Sequence, residues 1–211
     1  PIRFGIIGGG WRSLFFLRIA QAMPERFQAA GMFVRNPAKA QELAATWGVK
    51  TYSTLDELLK INDLRFVVVS VPRTIAPQIL QILADRSMPA LTETPPAPDL
   101  PGLLALYELS KRGARIQVAE QYHLQPLHAA RIALAQAGKL GAVTQAQVSA
   151  AHGYHGISLI RRFLGIQYEP VTITAHSFTS PLIAGPDRYA PPEHEQTIHS
   201  EQTIAYLDFG D

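Results

Sequence analysis

The chain has 211 residues, of which 47% are apolar and 17% charged, with a net charge of +2 and no cysteine. That composition supports one large core or two small ones and excludes disulfides and thiolate metal sites. No basic block resembles a nucleic-acid footprint, and no apolar run reaches the roughly 18 residues of a membrane span.

Ile2 to Ile7 reads as a short buried strand. It starts so early that no signal peptide is expected before it, Pro1 reads as the residue after a removed initiator methionine, and a cytoplasmic home fits. After "GGGWRS" comes an apolar helix from about Leu14 to Ala22, then a strand over Gln28 to Val34. Asn36-Pro37 starts the next helix, with Asn as cap and Pro at the first helical position; that helix stops at Gly48. Thr54 and Glu57 have the spacing of a capping box. "RFVVVSVP" is the unbroken β-branched run of a strand buried on both faces. A helix over Thr74 to Ala84, a strand ending at Glu93, a helix over Leu103 to Lys111 and the strand "RIQVAE" follow. Strands alternating with helices predict α/β architecture, a doubly wound parallel sheet of the Rossmann type.

Past Glu120 the rhythm changes. A helix is expected over Pro126 to Ala137, a half-exposed strand over "AVTQAQVSA" (142–150), a helix over Ile157 to Leu164, and strands at "VTITAHSFTS" and "QTIAYLDFG". This is an α+β pattern with mainly antiparallel sheet. It predicts a nucleotide-binding domain over residues 1–120 and a substrate or dimerisation domain over 121–211. Gly210-Asp211 is a turn signal behind an alternating strand, so the second domain reads as part of a longer one.

Gly8-Gly9-Gly10-Trp11-Arg12-Ser13 satisfies G-x-G-x-x-small between the first strand and the first helix. Gly8 suits the tight turn, Gly10 lets the backbone approach a pyrophosphate, and a small third residue lets helix and strand pack. The helix N-terminus adds N–H donors and positive potential. The alternative is a plain glycine-rich turn. An acid that would hold an NAD ribose should end the second strand; Arg35-Asn36 stands there instead. Arg35 would pair with a 2′-phosphate, favouring NADP over NAD, or it is a solvent-facing arginine beside a helix cap. "PPEHEQTIHSE" holds histidines and carboxylates at spacings that could take a metal. Its polar, proline-led character fits a solvated loop better, so no metal site is assigned.

With the glycine loop, "RNPAKAQELAATWG", "VVVSVP", "TETPPA", "LAQAGKLGAV" and "HGISLIRRFLG", the chain resembles the Gfo/Idh/MocA family (glucose–fructose oxidoreductase and inositol dehydrogenase) along essentially its whole length. The resemblance implies a Rossmann domain followed by a domain with a large open sheet that commonly forms dimers, hence a homo-oligomer. It implies cofactor contacts from Gly8, Gly10, Trp11, Arg12, Ser13, Arg35, Asn36, Pro72, Glu93, Thr94 and Pro95. The family's Glu-Lys-Pro loop reads Glu93-Thr94-Pro95 here, so its activating lysine is absent, while a cis Thr94-Pro95 bond remains open to the chain. The family's Asp-x-x-x-His-x-x-Asp pattern reads Ala151, His155 and Ser158, so only the histidine survives, and the resemblance makes it the general acid/base. Tyr122, His123, His152 and Tyr154 lie in segments expected to face the same cleft and are candidates to replace the lost catalytic groups, Tyr122 and His123 being assigned with His155 to the catalytic set; each of these residues, His155 included, is otherwise a hydrogen-bonded structural residue.

Two functions follow from the intact loop and depleted catalytic set. One is an NAD(P)-dependent oxidoreductase on a small polyol, sugar or carbonyl compound. The other is a nucleotide-binding sensor or assembly protein without turnover.

Overall fold

The computed structural model describes residues 1–149, 152–187 and 190–210. Strand β1 (Ile2–Ile7) leads into helix α1 (Trp11–Ala22), β2 (Phe27–Phe33), α2 (Pro37–Trp47), β3 (Thr51–Tyr52), α3 (Leu55–Leu59), β4 (Phe66–Val69), α4 (Ala76–Asp85), β5 (Ala90–Thr92), α5 (Leu100–Lys111) and β6 (Ile116–Val118). The strands form one parallel sheet in the order β3-β2-β1-β4-β5-β6. The order in which the chain adds strands reverses between β1 and β4. The crevice beyond the C-terminal ends of those two strands is where open α/β sheets bind ligands.

The side-chain alternation of a strand explains the two cores. Ile6 and Val68 point to one face and meet Leu17 of α1 and Leu43 of α2. Ile7, Val67 and Val69 point to the other and meet Leu58, Leu80, Leu83 and Leu106 from α3, α4 and α5. The continuous apolar run of β4 is therefore buried on both sides, as its composition predicts.

The local signals hold. Asn36 Oδ1 accepts the Lys39 N–H at 3.1 Å, and Gly48 closes α2 with φ +63°. The Thr54/Glu57 capping box is reciprocal, and its hydrogen bonds from Ser53 and Thr54 hold the Glu57 carboxyl below its ordinary range. The Thr94-Pro95 bond is cis. Strand β3 goes unforeseen, being too short to show alternation.

After β6 a 3-10 turn (Tyr122–Leu124), α6 (Pro126–Gln136) and α7 (Gly153–Leu164) pack on one another. Strands β7 (Thr172–Ile183) and β8 (Thr197–Asp208) pair antiparallel as a separate ribbon, Thr172 opposite Asp208 and Ile183 opposite Thr197. The strand expected over 142–150 does not form: residues 142–149 take no strand, and residue 150 lies outside the described set. Alternation makes a strand only when a neighbour takes up the backbone groups, and both described sheets are built without this segment. Among the described residues no helix is long and apolar enough to cross a membrane.

Candidate functional site

A cleft of about 1150 Å³ opens at the reversal point, lined by the glycine loop, the ends of β2, β4 and β5, and the start of α7. Gly8 sits at φ +111°, and a Cβ there would lie 2.0 Å from the Ser70 carbonyl oxygen. Only glycine fits between β1 and β4 at this point. A Cβ on Gly10 would meet nothing within 4 Å, so the backbone there faces open cleft. Helix α1 begins directly behind it with no side-chain cap and no acidic residue in its first turn. The positive end of the helix is thus left clear for an anion. Glycine backbone, open space and helix terminus together fit a pyrophosphate.

Ser13 does not line the cleft; it is fully buried, and its hydroxyl donates to the Gly8 carbonyl at 3.0 Å. The third position of the loop thus ties helix to turn. Arg35 is exposed and lines the cleft beside Val34 and Lys39. Asn36 lines it too, with its side-chain oxygen engaged as the α2 cap. Lys39 was missed in the sequence. Its ammonium pairs with Glu42 at 2.6 Å, and the signal was a second cation one turn into the helix that follows Arg35.

On the other side of the loop stand Trp11, Arg12, Pro72, Glu93 and Thr94. Arg12 Nε pairs with Glu93 Oε2 at 3.0 Å and its Nη2 donates to Gln121 Oε1 at 3.4 Å. Its guanidinium lies over the Phe15 ring at 4.9 Å. The other Glu93 oxygen is buried without a hydrogen-bond partner. Pro95 lies beyond the lining, behind Thr94.

The far wall carries Tyr122, His152, Tyr154 and His155. His155 is 7% exposed. Its ring stacks on Tyr122 with centroids 3.9 Å apart and planes 11° from parallel. Its Nδ1 lies 2.6 Å from Glu120 Oε2. Tyr154 and His152 flank it at 4.5 and 5.9 Å. Glu120 is the residue that sequence reasoning missed. An acidic side chain just past the end of the last parallel strand, at the carboxyl edge where such sheets bind ligands, was the available signal.

His123 is placed outside the cleft lining. Its Nδ1 is buried without a partner. Burial holds its imidazolium below the ordinary histidine range, the Arg162 cation adds to this, and Glu120 opposes it. Ser158 lies within α7 but does not line the cleft, and Ala151 lies outside the described residues. Among the described residues no group of three or more histidines and carboxylates is placed to hold a metal ion.

Residues 2–122 match a family model described as an oxidoreductase family with an NAD-binding Rossmann fold. A Schizosaccharomyces pombe protein, described as an uncharacterized oxidoreductase, is 26% identical over 114 residues, 53% of this chain and 31% of that protein. The chain is similar in fold to the WlbA dehydrogenase of Chromobacterium violaceum, solved with NADH and UDP-GlcNAcA: TM-score 0.70, 16% identity, 85% of this chain and 58% of that one. It is also similar to KijD10, a 3-ketoreductase from Actinomadura kijaniata solved with NADP and TDP-benzene: TM-score 0.56, 21% identity, 65% of this chain and 43% of that one. The chain thus spans less than two thirds of the length of each.

Proposed function

The chain belongs to the oxidoreductase family with the NAD-binding Rossmann fold, and from that premise we propose that it exchanges a hydride between a nicotinamide dinucleotide and a sugar-like alcohol or carbonyl compound. The observation that carries this reading is that one cleft holds both the glycine loop and a buried, carboxylate-bound histidine. Gly8 to Arg12 would hold the pyrophosphate and Arg35 a ribose phosphate, with Pro72, Glu93 and Thr94 beside the nicotinamide half. When bound, the nicotinamide supplies the hydride donor or acceptor.

The chain's own residues handle the proton. Oxidising a carbinol removes a hydride from carbon and a proton from oxygen, and His155 is the group that takes the proton and returns it in the reverse direction. Stacking on Tyr122 fixes the plane of the imidazole. Tyr154 and His152 offer flat faces to the substrate ring. Absorbance of the reduced nicotinamide, followed with purified full-length protein over a panel of polyols, sugars and sugar nucleotides with NAD and NADP, tests the proposal. Cofactor binding without turnover across the panel would favour the second reading, a protein that binds nucleotide and does not catalyse. The uncharged Thr94 is the feature that favours it.

Thr94 also gives a graded test. Its hydroxyl can donate at most one neutral hydrogen bond, worth about 0.5–1.5 kcal/mol. Thr94→Ala is therefore expected to change turnover by less than about tenfold, while Thr94→Lys brings a charged donor to the cleft and should raise it. Steady-state rates of the two variants check this; a collapse in Thr94→Ala would assign the hydroxyl a direct role.

Arg35 decides the cofactor. A charge-assisted contact to a 2′-phosphate is worth about 1.5–3 kcal/mol, so NADP should bind roughly 10- to 100-fold more tightly than NAD. Arg35→Ala should erase most of that ratio. Trp11 lines the cleft, so its fluorescence reports both titrations. Equal affinities in the parent chain would remove the preference.

A further inference from the structure

We propose that Glu120 is a positioning residue: it fixes His155 as the Nδ1–H tautomer and so leaves Nε2 as the proton-accepting nitrogen. The inference deepens the acid/base reading of His155 and rests on it for its functional meaning.

Both carboxylate oxygens of Glu120 are in use. Oε1 accepts the Tyr122 backbone N–H at 3.0 Å, and Oε2 meets His155 Nδ1 at 2.6 Å. An ionised carboxylate is acceptor only. At 2.6 Å a bare Nδ1 would set lone pair against lone pair, so the shared proton belongs on this contact and Nε2 carries the ring's free pair. Glu120 lies just past β6, at the carboxyl edge of the sheet, while its two partners come from the 3-10 turn and from α7. One side chain thereby joins the Rossmann sheet to both elements of the far wall. The stacked Tyr122 ring fixes the imidazole plane, and the Nδ1 contact fixes its rotation within that plane. Among the described residues the remaining neighbours of the ring, His152 and Tyr154, make only ring contacts with it. Among the described residues no second carboxylate bonds to the ring.

Glutamine separates this role from simple packing. It keeps the shape of Glu120 but has one acceptor and one donor group. It cannot accept from Tyr122 N–H and from His155 Nδ1–H together. With its carbonyl on Tyr122, its amide NH2 faces Nδ1 and moves the ring proton to Nε2.

The test is nitrogen–proton correlation NMR of the imidazoles in the full 211-residue chain, at a pH high enough that the rings are neutral, with His155 identified by its loss in His155→Gln. The expected result is a mainly Nδ1–H ring in the parent chain, a shift to mainly Nε2–H in Glu120→Gln, and a return toward Nδ1–H in Glu120→Asp, which restores two acceptors. A mainly Nε2–H ring in the parent chain overturns the proposal whatever the variants do. So does a folded Glu120→Gln chain that keeps the parent tautomer. The spectrum needs no substrate, so the acid/base reading fails separately: it falls if the tautomers behave as stated and His155→Ala retains the parent turnover.

Discussion

Gly8→Ala is expected to abolish dinucleotide binding and to lower stability by about 3 kcal/mol or more, the combined cost of a forbidden conformation and an overpacked contact. The backbone at Gly8 has φ +111°, which an L side chain rarely adopts. Conformational strain alone costs about 1–3 kcal/mol. The added methyl would also stand 2.0 Å from the Ser70 carbonyl oxygen. That oxygen cannot retreat cheaply, because Ser70 N–H is bonded to the Ile7 carbonyl at 2.9 Å, and Gly8 N–H to the Phe33 carbonyl at 2.9 Å. The loop is therefore clamped between β4 and β2, and relief must come from moving strand ends. Denaturant midpoints and Trp11 titrations measure the two effects separately. A stable variant with parent affinity would mean that the loop is not the pyrophosphate site.

His155→Ala is expected to lower turnover by about 10²- to 10⁴-fold, the usual contribution of a general acid/base. Cofactor affinity should stay near the parent value, because the glycine loop and Arg35 lie on other elements. Some loss of stability comes with it. The substitution removes a buried ring stacked on Tyr122 and leaves Glu120 Oε2 without its partner, and an orphaned acceptor costs about 1–3 kcal/mol. His155→Gln retains a polar group at the site and should recover part of the stability with little of the rate. Thermal melts beside single-turnover rates distinguish the two losses. Parent-level turnover in a folded His155→Ala chain would remove the histidine from the chemistry.

The parts of this protein legible in its sequence are the ones encoded locally. Asn36-Pro37, the Thr54/Glu57 box and Gly48 each act within one turn of backbone, so neighbouring residues suffice to identify them. The glycine loop is legible for the same reason, together with its place between a strand and a helix. The alternation of strands and helices indicates the parallel sheet, and the all-apolar β4 indicates burial on both faces. What was not legible depends on distance along the chain. Glu120 and His155 are 35 residues apart, and Arg12 and Gln121 are separated by 109; no spacing rule links either pair. Residues 142–149 show the opposite failure, where a correct local pattern lacks the partner strand that would give it structure. His123 had the right neighbours in sequence, but it is its neighbour Tyr122 that faces the cleft.

The buried hydroxyl of Ser13 has a consequence for the thermodynamics of ligand capture. A loop of three successive glycines has unusually large backbone freedom, and immobilising it at the moment of binding would subtract from affinity. Here the Ser13–Gly8 hydrogen bond closes the turn on itself, with the donating side chain fully buried. The entropy of ordering is lost when the chain folds, not when the dinucleotide arrives. Association then meets a preorganised surface and keeps more of its contact energy as affinity, an advantage that a glycine in the third slot, however well it packed, would lack.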